Sequence, residues 1–468
     1  MNREQLEALG TPEIVIEMFL SLQSTVAEQA LKIAELEAKL AMNSSNSSMP
    51  PSSDKFKTKS LRKKSGKKPG GQKGHRGSNL EITAEPDETV ELRPEKCANC
   101  GTDLSKINGA HTDDFRYKID TRIITKVTRY EQVEIICPVC GAANKGEFPC
   151  GINSHIQYGE NVRTVSVILN AHAMVSNDKT AKIMRDMMGI PISAGTIVNH
   201  VKNFVESAKP VTDEIPKVLI NSSLGNFDET GSSVNGKKIW IHNSSNSEAT
   251  WVTVHSKRGK DGSDANGVLP EFSGIAVHDR WSPYFKYTNC VHALCNAHLL
   301  RDLQGIIDAF DHKWAKQMQV LLREMCHVVK KYKVADKSKL SAYYSCKFAA
   351  EYDKIITLGN LETPHNPNSK KQTKSHNTLL AFMTYREEIC RFTQDFRVPF
   401  DNNQAERDIR NVKVKHKVSG GFRSLNGAEN FAAVSSVIGT AVKQGLSVFQ
   451  TISGIFSGSV SSLFHKHT

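Results

Sequence analysis

Two patterns in this chain of 468 residues could do chemistry: paired cysteines and spaced acids. Cys97-Ala-Asn-Cys100-Gly and Cys137-Pro-Val-Cys140-Gly are matching C-x-x-C pairs. Each can form a turn whose backbone amides face the sulfurs, and four thiolates close a tetrahedral structural zinc site. A redox role is disfavoured, because neither pair opens a helix in a βαβ setting. Cys150, His111 and His155 are left over. The N-terminus MNREQLEALG lacks signal-peptide character, so ten cysteines in an expected cytoplasmic protein do not point to a disulfide framework.

The acids are Asp228 in LGNFDETG, Asp279 in GIAVHD and Glu406 in DNNQAERDIRNVKVKHK. Carboxylates are hard-oxygen ligands suited to Mg²⁺, with Mn²⁺ able to substitute. Two such ions can activate an attacking water or hydroxyl and stabilise the leaving oxygen of an in-line phosphoryl transfer. LGNFDETG reads as a short strand ending in Asp228 and Glu229, followed by strands KKIWIHNS and ATWVTVHS. DANGVLPEF reads as a helix, and GIAVHD as a buried strand ending in Asp279. Strand–strand–strand–helix–strand, with acids on the first and fourth strands, is the order of a ribonuclease H-like domain. Glu406 falls on a later helix capped by Asp401 or Asn402, with Asn402, Glu406 and Arg410 on one face. Any one of these acids alone would read as a turn cap or surface charge; their order carries the set.

The flanking segments suggest a nucleic-acid partner. Net charge is +12, and Asp54–Gly77 holds ten Lys/Arg against one acid, so +9 of it sits in 24 residues. That stretch is poor in apolar residues and reads as a flexible arm, with Lys63, Lys64, Lys67, Lys68, Lys73 and Arg76 placed to meet phosphates. Before it, residues 12–42 carry a heptad pattern: Phe19, Val26, Ile33 and Leu40 on one seam position, Val15, Leu22, Gln29 and Leu36 on the other. Lys32 and Glu37 can pair across a parallel seam, so self-association as a homodimer or higher homo-oligomer is expected. Between the cysteine pairs, TRIITKVTRYEQVEII is strand-like. Thr180–Gly189, a break at IPIS and Ala194–Phe204 resemble a helix-turn-helix, with Ala181 inside and Thr196, Asn199, His200 and Lys202 toward a groove. No apolar run is long enough for a membrane span.

The chain resembles the large transposases of the insertion-sequence sixty-six family, the TnpC type. The matching words run along most of it: SSNSSMPPSSD, KKPGGQKGHRG, the double C-x-x-C, FDETG, HDRWSPY, Cys-Asn-Ala-His-Leu-Leu-Arg, DNNQAERDIR and KVSGGFRS. The resemblance implies a DDE transposase whose triad is Asp228, Asp279 and Glu406. It implies cleavage at an element's terminal repeats and strand transfer into target DNA, and leaves open accessory transposition proteins as partners. Cys295, His298 and Arg301 match the family's C-x-x-H-x-x-R element, although Asn296 stands where a tryptophan commonly follows the cysteine. A zinc using His292, Cys295 and His298 is conceivable from spacing, but a buried cysteine with His298 near the phosphates is preferred. Arg280, Arg407, Arg410, Lys413, Lys415, Lys417 and Arg423 are candidates for holding DNA.

The expected architecture is an α/β multidomain chain. It comprises a coiled coil (1–45), a basic arm (46–82), a zinc ribbon (83–155) and a helix-turn-helix region (156–215). A ribonuclease H-like core follows in two parts (216–306 and 397–450), split by a helical insertion (307–396) and ending in a tail (451–468). The insertion carries an apolar stripe, Trp314, Met318, Leu321, Met325, Val328 and Tyr332, with further helices near Ser338–Ile356 and Asn377–Phe396. Location is expected to be cytoplasmic and nucleoid-associated. The alternative function is a zinc-containing DNA-binding protein derived from a transposase but lacking catalysis.

Overall fold

A computed structural model describes residues 3–47, 85–107, 114–367 and 371–464. The arm residues Lys63, Lys64, Lys67, Lys68, Lys73 and Arg76 lie outside them. The chain divides into two compact units, Ser60–Ile124 and the remainder, Met1–Lys59 with Thr125–Thr468. In the smaller unit the described residues form a tight turn: Cys97 N–H donates to Thr102 O (2.9 Å) and Gly101 N–H to Cys97 O (2.9 Å). Gly101 sits at φ +75°, where a side chain would be strained.

The larger unit begins with α1 (Arg3–Ala8) and α2 (Glu13–Leu40). Of the strand-like stretch TRIITKVTRYEQVEII, only β1 (Glu134–Ile136) pairs, antiparallel to β2 (Ala143–Lys145). The rest makes no ladder, so β-branched composition here reflects propensity without a partner strand. Helices α3 (Glu160–Val167), α4 (Asn177–Met188), α5 (Ala194–Ser207) and α6 (Lys209–Ile220) follow. Ser193 caps α5 by accepting from Thr196 N–H (3.1 Å), and Gly189 ends α4 in the left-handed region. Ala181 is buried as expected, but so is His200, bonded to the Ser166 hydroxyl (3.0 Å). His200 therefore belongs to the packing face of α5, away from any groove.

The central sheet contains β3 (Leu224–Val234), β4 (Lys237–Ser245), β5 (Thr250–His255), β6 (Ile275–His278) and β7 (Val291–Leu294), in the order β5-β4-β3-β6-β7. β3, β4 and β5 pair antiparallel, while β6 and β7 run parallel to β3. Asn235 and Gly236 make the β3–β4 turn, both at positive φ (47° and 75°), as a two-residue Asn-Gly hairpin requires. β3 runs well past Glu229, because Thr230–Val234 pair with Lys237–Ile241. The helix expected over DANGVLPEF lies earlier, as α7 (Lys260–Asn266), and stops where Gly267 turns left-handed.

Helices cover both faces of the sheet. Ala276 joins a cluster with Phe204, Ile215, Phe272 and Val437, while its neighbour Val277 joins Leu299, Trp314 and Phe382 on the other side. Successive strand residues point to opposite faces, which is why one strand feeds two cores. The second core is built from α8 (Asn296–Phe310), α9 (Lys313–Val334), α10 (Ala342–Glu362), α11 (Lys374–Thr384) and α12 (Arg386–Gln394). The stripe of α9 is thus packing. The expected helix at 377–396 is two helices, broken at Tyr385. α13 (Asn403–Ser419), α14 (Leu425–Lys443) and α15 (Val448–Ser457) close the fold, with Ile409 and Val412 of α13 packed on Ile239 and Ile241 of β4. No helix among the described residues is long and apolar enough to cross a membrane.

Candidate active site

The sheet register sets two acids side by side. Asn226 of β3 is level with Val277 of the parallel strand β6, and Asp228 and Asp279 each stand two residues further on. Adjacent strands run about 4.8 Å apart, so both carboxyls come to one end of this pair. Glu406 arrives from the first turn of α13, which packs on β3.

The start of α13 is tied to that strand by a single side chain. Asn402, 2% exposed, accepts from Asn226 Nδ2 (2.8 Å) and donates from its own Nδ2 to Phe227 O (2.8 Å). Its backbone N–H donates to Cys295 Sγ (3.1 Å), and Asn296 N–H donates to Phe400 O (3.0 Å). Asn402 makes no capping bond through its side chain, contrary to its expected role; it braces β3, α8 and α13 together. At the far end of α13, Gly421 (φ +130°) lies so close to β3 that an added Cβ would sit 2.4 Å from Ser233 Oγ.

The acids repel one another. Burial, then the charges of Glu229, Asp279 and Glu406, raise the Asp228 carboxyl well above its usual range. Burial and Glu229 push Asp279 up to about 6, against the opposing effects of the Trp281 N–H (2.9 Å), Arg258 and Arg280. Burial also raises Glu406, with Arg301 (3.5 Å) opposing and Asp401 and Asp279 adding. A buried, mutually repelling carboxylate set is one that divalent cations would relieve, so the donors fit hard metal ions. The three do not gather as tightly as a one-ion cage. Among the described residues, the one trio with ligand atoms all within 4.8 Å of each other is Cys295, His298 and Glu406.

A fourth acid, Glu229, is buried close to the set (side chain 1% exposed). Arg258 holds its Oε1 with Nε (2.7 Å) and Nη2 (2.6 Å), and the Tyr284 hydroxyl donates to Oε2. The Arg258 guanidinium lies over Trp281 at 4.1 Å. Sequence reasoning gave Arg258 and Tyr284 no role. The available signal was the adjacent pair Asp228-Glu229: consecutive strand residues face opposite ways, so one acid had to find a buried cation.

The other expected residues distribute unevenly. His298 Nδ1 is 3.8 Å from Glu406 Oε1, and burial lowers the imidazole to about 4. Lys413 is half-buried with Nζ on Gly231 O (3.2 Å); burial lowers it and Asp228 raises it. Arg280 faces Asp302 (3.6 Å), and Arg410 is exposed. Thr196, Asn199 and Lys202 ride on α5, outside this network, with Lys202 near Glu206 (3.8 Å). His292 is occupied elsewhere, by His278 (2.9 Å) and Tyr287 O (3.0 Å). Asn296, in the family's tryptophan position, is buried and donates to Ile389 O (3.1 Å).

The second cysteine turn repeats the first within its own unit: Cys137 N–H donates to Ala142 O (2.8 Å), Gly141 N–H to Cys137 O (2.9 Å), and Gly141 has φ +74°. Hydrogen bonds from the Thr102 side chain and backbone lower Cys100 to about 7, and the backbone amides of Cys140 and Val139 lower Cys137. Such turns favour thiolate, the form that binds metal.

A family model described as Transposase IS66 family matches residues 155–430, which takes in all three acids. A second, described as a family of unknown function (DUF6444), matches residues 3–81. No curated protein matches the chain.

Proposed function

The chain belongs to the Transposase IS66 family, and we propose that it cuts and joins DNA at Asp228, Asp279 and Glu406. As a transposase it is an enzyme with DNA as its partner. The observation that carries the catalytic reading is the register of β3 and β6, with Asp228 and Asp279 level on adjacent parallel strands and Glu406 charged against both. The strand order β5-β4-β3-β6-β7 supports a ribonuclease H-like core.

In this proposal the three acids would hold two Mg²⁺ ions, or Mn²⁺, which when bound would activate the attacking hydroxyl and stabilise the leaving oxygen. Asn402 fixes the start of the helix that carries Glu406. Arg258 and Tyr284 fix the Glu229 carboxylate beside the acids. Arg280, His298, Arg301, Arg410 and Lys413 would grip the phosphates around the cut. The residues used are acids, amides and bases, so the proposed chemistry is direct attack by water and then by a 3′-hydroxyl, without a covalent protein–DNA intermediate.

The N-terminal regions would supply recognition. The α2 zipper would join copies, the basic arm would track the backbone, and Thr196, Asn199 and Lys202 on α5 would meet the terminal repeats. Cys97, Cys100, Cys137 and Cys140 are proposed as structural zinc ligands on the chemistry of each turn. Nucleoid association would follow from DNA binding.

The test is a Mg²⁺-dependent strand-cleavage assay on terminal-repeat DNA with Asp279→Asn. Cleavage should fall by about 10³-fold while end binding stays near that of the parent. Equal cleavage by the variant would remove Asp279 from the mechanism and favour the non-catalytic DNA-binding alternative.

A further inference from the structure

Where α8 and α13 meet, three donors of mixed softness converge. Cys295 Sγ, a ring nitrogen of His298 and a carboxylate oxygen of Glu406 all lie within 4.8 Å of one another. Cys295 and His298 sit at the first turn of α8 with the spacing that puts both on one face. The thiol is buried, which pushes it up to about 12, with Asn402 N–H on its sulfur (3.1 Å) opposing, so an ion bound there would have to displace the thiol proton.

His298 Nδ1 is a buried nitrogen with no hydrogen-bond partner, 3.8 Å from Glu406 Oε1. A buried polar atom without a partner calls for an explanation, and an absent ion is one. Arg301, 3.5 Å from the same Oε1, is the cation now facing Glu406. That contact is long, and an ion would displace it.

Thiolate and imidazole select zinc-class ions over magnesium. We propose that Cys295, His298 and Glu406 form a soft-metal site for a zinc-class ion that shares Glu406 with the catalytic acids. Occupying it would withdraw Glu406 from the set that holds magnesium, so zinc would act as an inhibitor of strand cleavage. Three protein ligands leave a fourth tetrahedral position for water. The inhibitory consequence rests on Glu406 being catalytic; the binding does not.

The experiment titrates Co²⁺, as a zinc probe, into the full chain without DNA and follows the thiolate-to-cobalt charge-transfer absorbance. Cys295→Ala should lack one component of the band, the contribution of the Cys97–Cys140 thiolates remaining. His298→Ala and Glu406→Gln should keep a thiolate component but bind it at least about tenfold more weakly. Asp279→Asn should bind Co²⁺ like the parent, even though it is expected to be inactive in cleavage. A Cys295→Ala band equal to the parent's would overturn the site. So would unchanged affinity in both His298→Ala and Glu406→Gln, which keep the test valid if the buried cysteine variant fails to fold. Loss of the component in Asp279→Asn would overturn it too, because the ion would then sit among the catalytic acids.

Discussion

The acid-bearing core and the N-terminal helix solve burial in opposite ways. In the core, Trp314, Phe382, Ile241 and Val277 are fully enclosed by sheet and helices of the same chain. On α2 the heptad residues Val15, Leu22, Val26, Ile33, Leu36 and Leu40 are 46–77% exposed. The same apolar residue types are spent inward in one region and presented outward in the other. Covering a leucine or valine is worth about 1.5–3 kcal/mol, so a stripe of this kind is a place for a second copy to gain stability. The core encloses its own apolar residues, whereas the proposed role of the helix is to take a partner. Beyond the end of α2, Asn46 Nδ2 donates to Asp308 of α8 (3.1 Å).

If the core is self-sufficient, its chemistry should fail without its fold failing. Glu406→Gln should lower Mg²⁺-dependent cleavage by about 10³-fold, with a melting temperature equal to or above the parent's, because one repelling charge is gone. A variant that instead unfolded would make Glu406 a structural residue.

The brace is the next largest effect. Asn402→Ala deletes two buried side-chain bonds and leaves Asn226 and Phe227 O unsatisfied, which should cost about 2–4 kcal/mol in denaturant unfolding. Cleavage should fall further than that of a surface variant of equal stability. Unchanged stability would show that Asn402 is not what ties α13 to β3.

The outward-facing helix makes the complementary prediction. Ile33→Asp should weaken self-association at least about tenfold by sedimentation or light scattering while leaving core melting unchanged. Joint loss of both would erase the contrast between the regions.

The smallest effect is on pH dependence. Asp279 is raised from 3.8 to about 6, and Asp228 and Glu406 are raised too, so at these three acids the metal-free fold binds more protons than the unfolded chain. That contribution to stability is fully present below pH 3.8 and is lost as pH rises through about 6. Mg²⁺ should therefore raise the melting temperature more above about pH 6 than below it, as scanning calorimetry would record. A Mg²⁺ effect that shrinks with rising pH would count against the acids as its site.

Much of this was legible in the residues. The alternating apolar positions of β4 and β5, the Asn235-Gly236 turn and the stripe of α9 are local patterns, and the elements they predict are there. The extension of β3 to Val234 was hidden, because the backbone of its Ser and Thr residues is held by pairing with β4 rather than by their own propensity. TRIITKVTRYEQVEII misled for the converse reason: strand propensity without a ladder partner. Asn402 looked like a cap because helix starts favour asparagine, and only tertiary contact with Asn226 and Phe227 redirects it. The Glu229–Arg258–Tyr284 group joins three separate segments and has no local signature. Asp228 and Asp279 were readable from strand order, whereas Glu406 rested on its family word.

The central claim is that Asp228, Asp279 and Glu406 hold the divalent ions together. The most direct measurement is anomalous diffraction from the full chain bound to terminal-repeat DNA and Mn²⁺. The account predicts manganese peaks ligated by all three carboxylates next to the scissile phosphate. Peaks that leave Glu406 unligated, or that lie away from Asp228 and Asp279, would contradict it.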